Sequence, residues 1–154
     1  MRLPNKAKHR ERHITPTIDE IVSNLNGARW FSKIDLNSSY HQLELDEASK
    51  YITTFSTHIG LRRYRHLSFG ISSAAEVFQE TIRETLSGLI GVLNVSNDIL
   101  IYSSSLEEHH ARLRATLQRL ADRLTLHRNK CAFYANSLEF FGYHFSSDRL
   151  QVDP

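Results

Sequence analysis

The sequence predicts an α+β domain: an antiparallel sheet with helices packed on one face. Three observations predict it. Stretches with apolar residues at helical spacing are interleaved with short β-rich runs. Residues 92–102 (VLNVSNDILIY) place two apolar runs around a polar centre, the pattern of a tight hairpin. The chain then closes with two further β-like runs, around Cys131-Ala132-Phe133-Tyr134 and residues 138–145.

Taken in order, residues 1–16 are basic and irregular, with Pro4 and Pro16 as breakers. Thr17-Ile18-Asp19-Glu20 has the capping-box pattern. Ile18, Ile21, Val22 and Leu25 follow at helical spacing up to a stop at Asn26-Gly27. Residues 29–36 (RWFSKIDL) alternate as a strand does. Trp30, Ser32, Ile34 and Leu36 point one way, and Phe31, Lys33 and Asp35 the other. Asn37-Ser38-Ser39 marks the turn after it. Residues 51–57 and 61–67 both favour β structure, and His58-Ile59-Gly60 joins them, which predicts a hairpin. Its second strand alternates, with Arg63 and Arg65 on one side and Tyr64 and His66 on the other.

Ser73-Ala74-Ala75-Glu76 is a second capping-box match. It heads a helix with Val77, Phe78, Thr81, Ile82 and Leu86 on one face and Gly88 as its stop. After the hairpin, Ser105-Leu106-Glu107-Glu108 is a third such match. Leu113, Leu117, Leu120 and Leu124 then recur at helical spacing, giving an amphipathic helix of about five turns. His109-His110 falls at the start of that helix and reads as solvated.

The length of 154 residues suits one domain or a large piece of one. With 40% hydrophobic and 23% charged residues, the chain has an ordinary globular composition. The net charge of +2 announces no nucleic-acid partner by itself. The basic residues are nevertheless clustered, Lys6 to Arg12 at the N-terminus and Arg62, Arg63 and Arg65 in the second hairpin strand. Such clusters hold phosphates or form solvated faces. The lone Cys131 excludes an internal disulfide. Neither a signal peptide nor a membrane-length apolar run is present, so an intracellular protein, cytoplasmic or nuclear, is expected.

No phosphate-binding Gly-rich loop, dinucleotide fingerprint or His-Glu-x-x-His motif occurs. His127 and Cys131 are spaced as a zinc pair would be, but nothing completes a tetrahedral set. What is left is Asp35 and Asp98, each near a strand end. Asp98 beside a hairpin tip reads either as an ordinary turn residue or as a carboxylate presented by a rigid sheet. Two such carboxylates brought together can hold Mg²⁺, and paired metals catalyse phosphoryl transfer. Spacing alone does not bring them together.

The order of these segments carries a resemblance. FSKIDLNSSYHQLEL, FSTHIGLRRYRHLSFGISSAAEVFQE, GVLNVSNDILIYSSSLEEHHARL, LTLHRNKC and LEFFGYHF, in that order, resemble the reverse transcriptase domain of gypsy-type LTR retrotransposons. The similarity covers nearly the whole chain. It implies a polymerase palm with partial fingers over residues 1–154, lacking the fingers tip, thumb and RNase H. It implies RNA-directed DNA synthesis by two-metal nucleotidyl transfer, with Mg²⁺ or Mn²⁺ as cofactor and an RNA or DNA template-primer and dNTP as partners. By that resemblance Asp35 and Asp98 are catalytic, metal-binding residues. Leu36, Tyr40, Phe69 and Gly70 line the nucleotide pocket, and Tyr40 excludes ribonucleotides. Lys130 assists catalysis, and Phe141, Gly142 and Tyr143 grip the primer.

Three departures stand against it. The family's hairpin carries a pair of Asp residues; here Val95-Ser96-Asn97-Asp98 has Asn97 in place of the first, the metal ligand. A neutral amide oxygen replaces an anionic one, so metal binding is expected to weaken. The fingers' triphosphate-gripping Lys and Arg precede the matched region. Ser39, Ser68 and Ala75 occupy family Gly and Pro positions, and the first adds a Cβ where the family has none. The resulting expectation is a polymerase domain with absent or severely reduced activity. The alternatives are activity within a longer polyprotein, or a non-catalytic nucleic-acid- or protein-binding relic.

Overall fold

The computed structural model describes residues 17–152 except positions 38, 72, 96, 122, 141 and 147–149. Helix α1 (Ile18–Leu25) leads into strand β1 (Trp30–Asp35) and a 3₁₀ turn at Ser39–Gln42. Helix α2 (Glu47–Ile52) and the hairpin β2 (Phe55–Thr57) and β3 (Gly60–Arg62) come next. Helix α3 (Ala74–Thr85) precedes the hairpin β4 (Val92–Val95) and β5 (Asp98–Ser103). Helix α4 (Leu106–Ala121) and a 3₁₀ turn at Arg128–Lys130 lead to β6 (Ala132–Ala135), β7 (Ser137–Phe140), β8 (Tyr143–Ser146) and β9 (Leu150–Val152).

The central sheet is antiparallel with strand order β4-β5-β1-β6. The alternation read in residues 29–36 separates its two faces, and both are buried. On one face Ile34, Leu36, Ile99 and Ile101 pack with Phe78 and Ile82 of α3 and Leu113 and Leu120 of α4. On the other, Phe31, Val95 and Leu100 pack with Ile21 and Leu25 of α1 and with Leu138, Phe140 and Phe145 of a second sheet, β7-β8-β9. The two long helices thus share a face, as the α+β pattern predicts, and the opposite face is closed by α1 and the small sheet. Each of these large apolar side chains contributes about 1.5–3 kcal/mol by leaving water.

The predicted capping box of α1 is complete: Thr17 N–H donates to Glu20 Oε2 at 2.9 Å, and Glu20 N–H to Thr17 Oγ1 at 3.4 Å. The second match fails. Ser73 sits at φ −99°, ψ 7° and makes no side-chain cap, because an N-cap hydroxyl needs extended backbone to reach back into the first turn. The third is shifted: Ser105 Oγ accepts from Glu108 N–H, while the Glu108 carboxylate accepts from Ser104.

The 51–57 strand is also corrected. Tyr51 and Ile52 end α2, whose cap is Asp46, accepting from Ser49 N–H at 2.7 Å. That local cap overrides the β preference of Tyr-Ile. The hairpin shrinks to three residues a side. Residues 63–67 leave it to pair instead with the segment after the first 3₁₀ turn, through Leu45 N–H to Arg65 O and Leu67 N–H to Leu43 O, both 2.8 Å.

His109 is likewise not solvated but fully buried. Between β1 and β6 the register slips: Phe31 faces Ala135 but Lys33 faces Ala132, so β6 carries an extra residue. Tyr134, in this bulge, takes φ +54°.

Candidate active site

Strand pairing brings the two carboxylates together. Trp30 through Asp35 run against Ser103 through Asp98, so Asp35 and Asp98 are cross-strand partners at the end of the β1–β5 ladder. The β4–β5 hairpin holds that end in place. Val95 pairs with Asp98, leaving a two-residue connection, and the Asn97 carbonyl accepts from Leu36 N–H at 3.0 Å. Ser96, at the tip, is outside the described residues. On the other side of β1, the Asp35 carbonyl accepts from His127 N–H at 2.8 Å, and Asp35 N–H points to Cys131 Sγ at 3.5 Å. The backbone that carries Asp35 is therefore tied on both flanks. Cys131 and His127 serve this tie.

The pair lies on the sheet face shared with α1 and the β7-β8-β9 sheet, between the buried side chains of Val95 and Leu100. Asp35 is buried and Asp98 half-buried. Burial pushes the Asp98 carboxyl above the usual carboxylate range. The Lys33 ammonium, 3.6 Å from Asp98 Oδ2, pulls it back, and the neighbouring Asp35 adds to the rise. Asp98 Oδ1 is buried and accepts no hydrogen bond. Opposed carboxylates with an unsatisfied buried oxygen form a hard, anionic donor set that suits a divalent cation. Among the described residues, no group of three or more His, Cys, Asp or Glu is placed to hold a metal ion by itself. Asn97, next to Asp98 in the chain, brings an amide and no carboxylate.

The remaining predicted residues fall into three places. Leu36 is buried and bridges to Leu126 immediately after Asp35. Tyr40, in the 3₁₀ turn, packs edge-on against Phe69 (5.0 Å between ring centres) and Phe78 (5.5 Å). Phe69 is otherwise exposed, and Gly70 beside it takes φ +86°, which only glycine adopts freely. The structure thus joins Tyr40 to Phe69-Gly70. Gly142 occupies the β7–β8 turn, and Tyr143 opens β8, packed against the same core face as the carboxylate pair. Phe141 lies outside the described residues. Lys130 ends the second 3₁₀ turn with its side chain exposed, and no ion pair joins it to either Asp among the described residues.

The cation at the carboxylates is Lys33, which the sequence reading did not single out. The signal was present, since the alternation of 29–36 already places Lys33 on the side of Asp35. Of the Arg cluster, Arg63 is engaged within the chain. It pairs with Glu47 at 3.3 Å and stacks over the Tyr51 ring at 4.9 Å.

Comparison with known proteins gives a consistent result. A family profile described as "Reverse transcriptase (RNA-dependent DNA polymerase)" matches residues 2–145. The chain is 34% identical to the Retrovirus-related Pol polyprotein from transposon 297 of Drosophila melanogaster, over 94% of this chain and 14% of that protein. It is 31% identical to that from transposon gypsy of the same fly, with the same coverage. It is 36% identical to the uncharacterized protein K02A2.6 of Caenorhabditis elegans, over 90% of this chain and 11% of that one. The chain therefore spans about one seventh or less of the length of these relatives. Among solved structures, a foamy viral protease-reverse transcriptase in complex with double-stranded DNA superposes with a TM-score of 0.87 at 19% identity, over 99% of this chain and 27% of that one. The foamy viral protein in complex with an RNA/DNA hybrid gives 0.83 at 17%, over 99% and 21%. At that identity the likeness speaks for the fold.

Proposed function

This chain belongs to the reverse transcriptase (RNA-dependent DNA polymerase) family, in the form carried by retrotransposon Pol polyproteins, and from that premise we propose that it is a polymerase palm whose catalytic capacity is absent or severely reduced. The observation that carries the reading is the cross-strand pair Asp35–Asp98 with its unsatisfied buried oxygen. Asp35 and Asp98 would hold Mg²⁺ or Mn²⁺. Bound there, such an ion supplies Lewis-acid stabilisation of the oxygens in phosphoryl transfer. Leu36, Tyr40, Phe69 and Gly70 form the candidate nucleotide-binding segment, in which the Tyr40 ring, braced by Phe69 and Phe78, has the rigidity to crowd a 2′-hydroxyl. Gly142 and Tyr143, with Phe141, are the candidate primer contacts, and Lys130 is a candidate helper. A nucleic-acid partner is supported by the solved neighbours, which are complexes with DNA and RNA/DNA.

Asn97 is the reason to expect little activity. The site has two carboxylates where the resemblance calls for three, and an amide oxygen carries no charge to offset a dication. Primer extension on an RNA template, with Mg²⁺ and separately with Mn²⁺, tests the reading on the unmodified chain, Asn97→Asp and Asp35→Ala. No extension is expected from the unmodified chain. Robust synthesis that disappears in Asp35→Ala overturns the inactive reading and favours an active domain within a longer polyprotein. A steep fall of RNA or DNA affinity with salt supports phosphate contacts by this palm; salt-independent or absent binding counts against a nucleic-acid role.

A further inference from the structure

The face that presents Asp35 and Asp98 also presents a cation that the proposed chemistry leaves without a task. Lys33 lies two residues before Asp35, on the same side of β1. It faces Leu100 where Asp35 faces Asp98, so it is diagonal to Asp98 across the ladder. A long side chain spans that diagonal easily, and Lys33 Nζ stands 3.6 Å from Asp98 Oδ2, the two side chains being 25% and 27% exposed. The backbone of Lys33 is paired on both edges, with Leu100 of β5 and Ala132 of β6, so the base of the side chain does not move away. By formal charge, two carboxylates and one ammonium leave the group a single negative charge, and Asn97 adds none.

We propose that Lys33 is a built-in counter-ion of the carboxylate pair, so that a divalent cation enters the pair in competition with the Lys33 ammonium. The inference rests on reading Asp35–Asp98 as a divalent-cation site. Its physical basis is Coulombic. A unit positive charge a few ångström from a dication repels it even through water, and removing that charge raises the dication's affinity about tenfold.

Mn²⁺ titration of the chain, with free Mn²⁺ followed by electron paramagnetic resonance, tests this on the wild type, Lys33→Met, Lys33→Arg, Asp35→Asn and the double variant Lys33→Met/Asp35→Asn. Thermal melts by circular dichroism establish that each is folded, and Lys33→Arg keeps the charge if Lys33→Met does not fold. About tenfold tighter binding is expected for Lys33→Met than for the wild type, with Lys33→Arg close to the wild type. Both Asp35→Asn variants should lose that affinity. If Lys33→Met binds no more tightly than the wild type while Asp35→Asn still weakens binding, the Lys33 proposal falls and the site reading stands. If Asp35→Asn leaves affinity unchanged, or Lys33→Met binds no Mn²⁺ at millimolar concentration, the site reading itself falls.

Discussion

Ser32 Oγ and Nε2 of His109 lie 2.7 Å apart in the buried layer between β1 and α4, and the groups around them assign the protons in between. Ser103 Oγ donates to the Ser105 carbonyl at 2.9 Å, so it accepts from His109 Nδ1–H at 3.0 Å. Nε2 is then an acceptor, and Ser32 Oγ–H supplies it. Ser32 Oγ in turn accepts from Tyr134 N–H at 3.1 Å. The chain of bonds is complete with a neutral imidazole, and a proton on Nε2 would take away the acceptor of Ser32 Oγ–H.

A pH dependence follows. Burial, with a smaller push from the Arg112 guanidinium, holds His109 below the usual imidazole value of 6.5. The unfolded chain takes up a proton there that the folded chain refuses, so the stabilisation is whole above pH 6.5 and declines as the pH falls below it. Urea denaturation between pH 8 and 5 should show this decline in the wild type and a flatter profile in His109→Gln.

Ser32→Ala removes the middle of that chain of bonds. It takes the partner from the buried His109 Nε2 and from Tyr134 N–H, and the expected loss is about 1–3 kcal/mol. Chemical denaturation at pH 8 measures it. Unchanged stability would mean that the hydrogen bonds contribute nothing net.

Asp98 has the opposite sign. Its carboxyl is held above the ordinary 3.8, so the folded chain keeps that proton to a higher pH than the unfolded chain does. Folding is favoured as the pH falls into the window just above 3.8 and is penalised above it. Asp98→Asn should therefore stabilise the chain at neutral pH. The scale is that of a like-charge cross-strand pair, roughly 0.2–1 kcal/mol, read by denaturation at pH 7 without added divalent metal. Destabilisation would show that the Lys33–Asp98 contact outweighs burial.

Gly91 takes φ +72°, and its carbonyl accepts from Tyr102 N–H at 2.9 Å. A Cβ there would press into the Arg112 guanidinium and stand 2.7 Å from the Tyr102 carbonyl. Arg112 is itself held by that carbonyl and by Glu108. Gly91→Ala should cost at least about 2 kcal/mol, since backbone strain of this kind alone is worth about 1–3 kcal/mol. A drop in melting temperature measures it.

Ser68 is buried, and its hydroxyl has no partner. Ser68→Ala removes an unsatisfied polar group and should stabilise by about 1 kcal/mol. A lower denaturation midpoint would reveal a partner for the hydroxyl.

Most of the elements were legible because their signals are local. Thr17 and Glu20 cap α1 from three residues apart, and the leucines of α4 mark its buried face, although Leu124 packs from beyond the helix end. Tyr51-Ile52 departs from its β preference because Asp46 caps a helix through a side-chain bond to Ser49 N–H. Ser73 resembled Thr17 in sequence but not in backbone angle, and a pattern of residue types does not contain the angle.

The sequence by itself determined the three longer helices, the hairpin of residues 92–102, the two carboxylates at strand ends and the Asn at position 97, since these are properties of residue type and spacing. Only the tertiary structure decided that Asp35 faces Asp98, that Lys33 rather than Lys130 stands beside them, and that His109 is sealed between two serines. The physical reason is register. A strand's partner lies far along the chain and is chosen by which faces can be buried together, so the neighbours of a charge belong to the packed sheet and not to the run of residues that carries it.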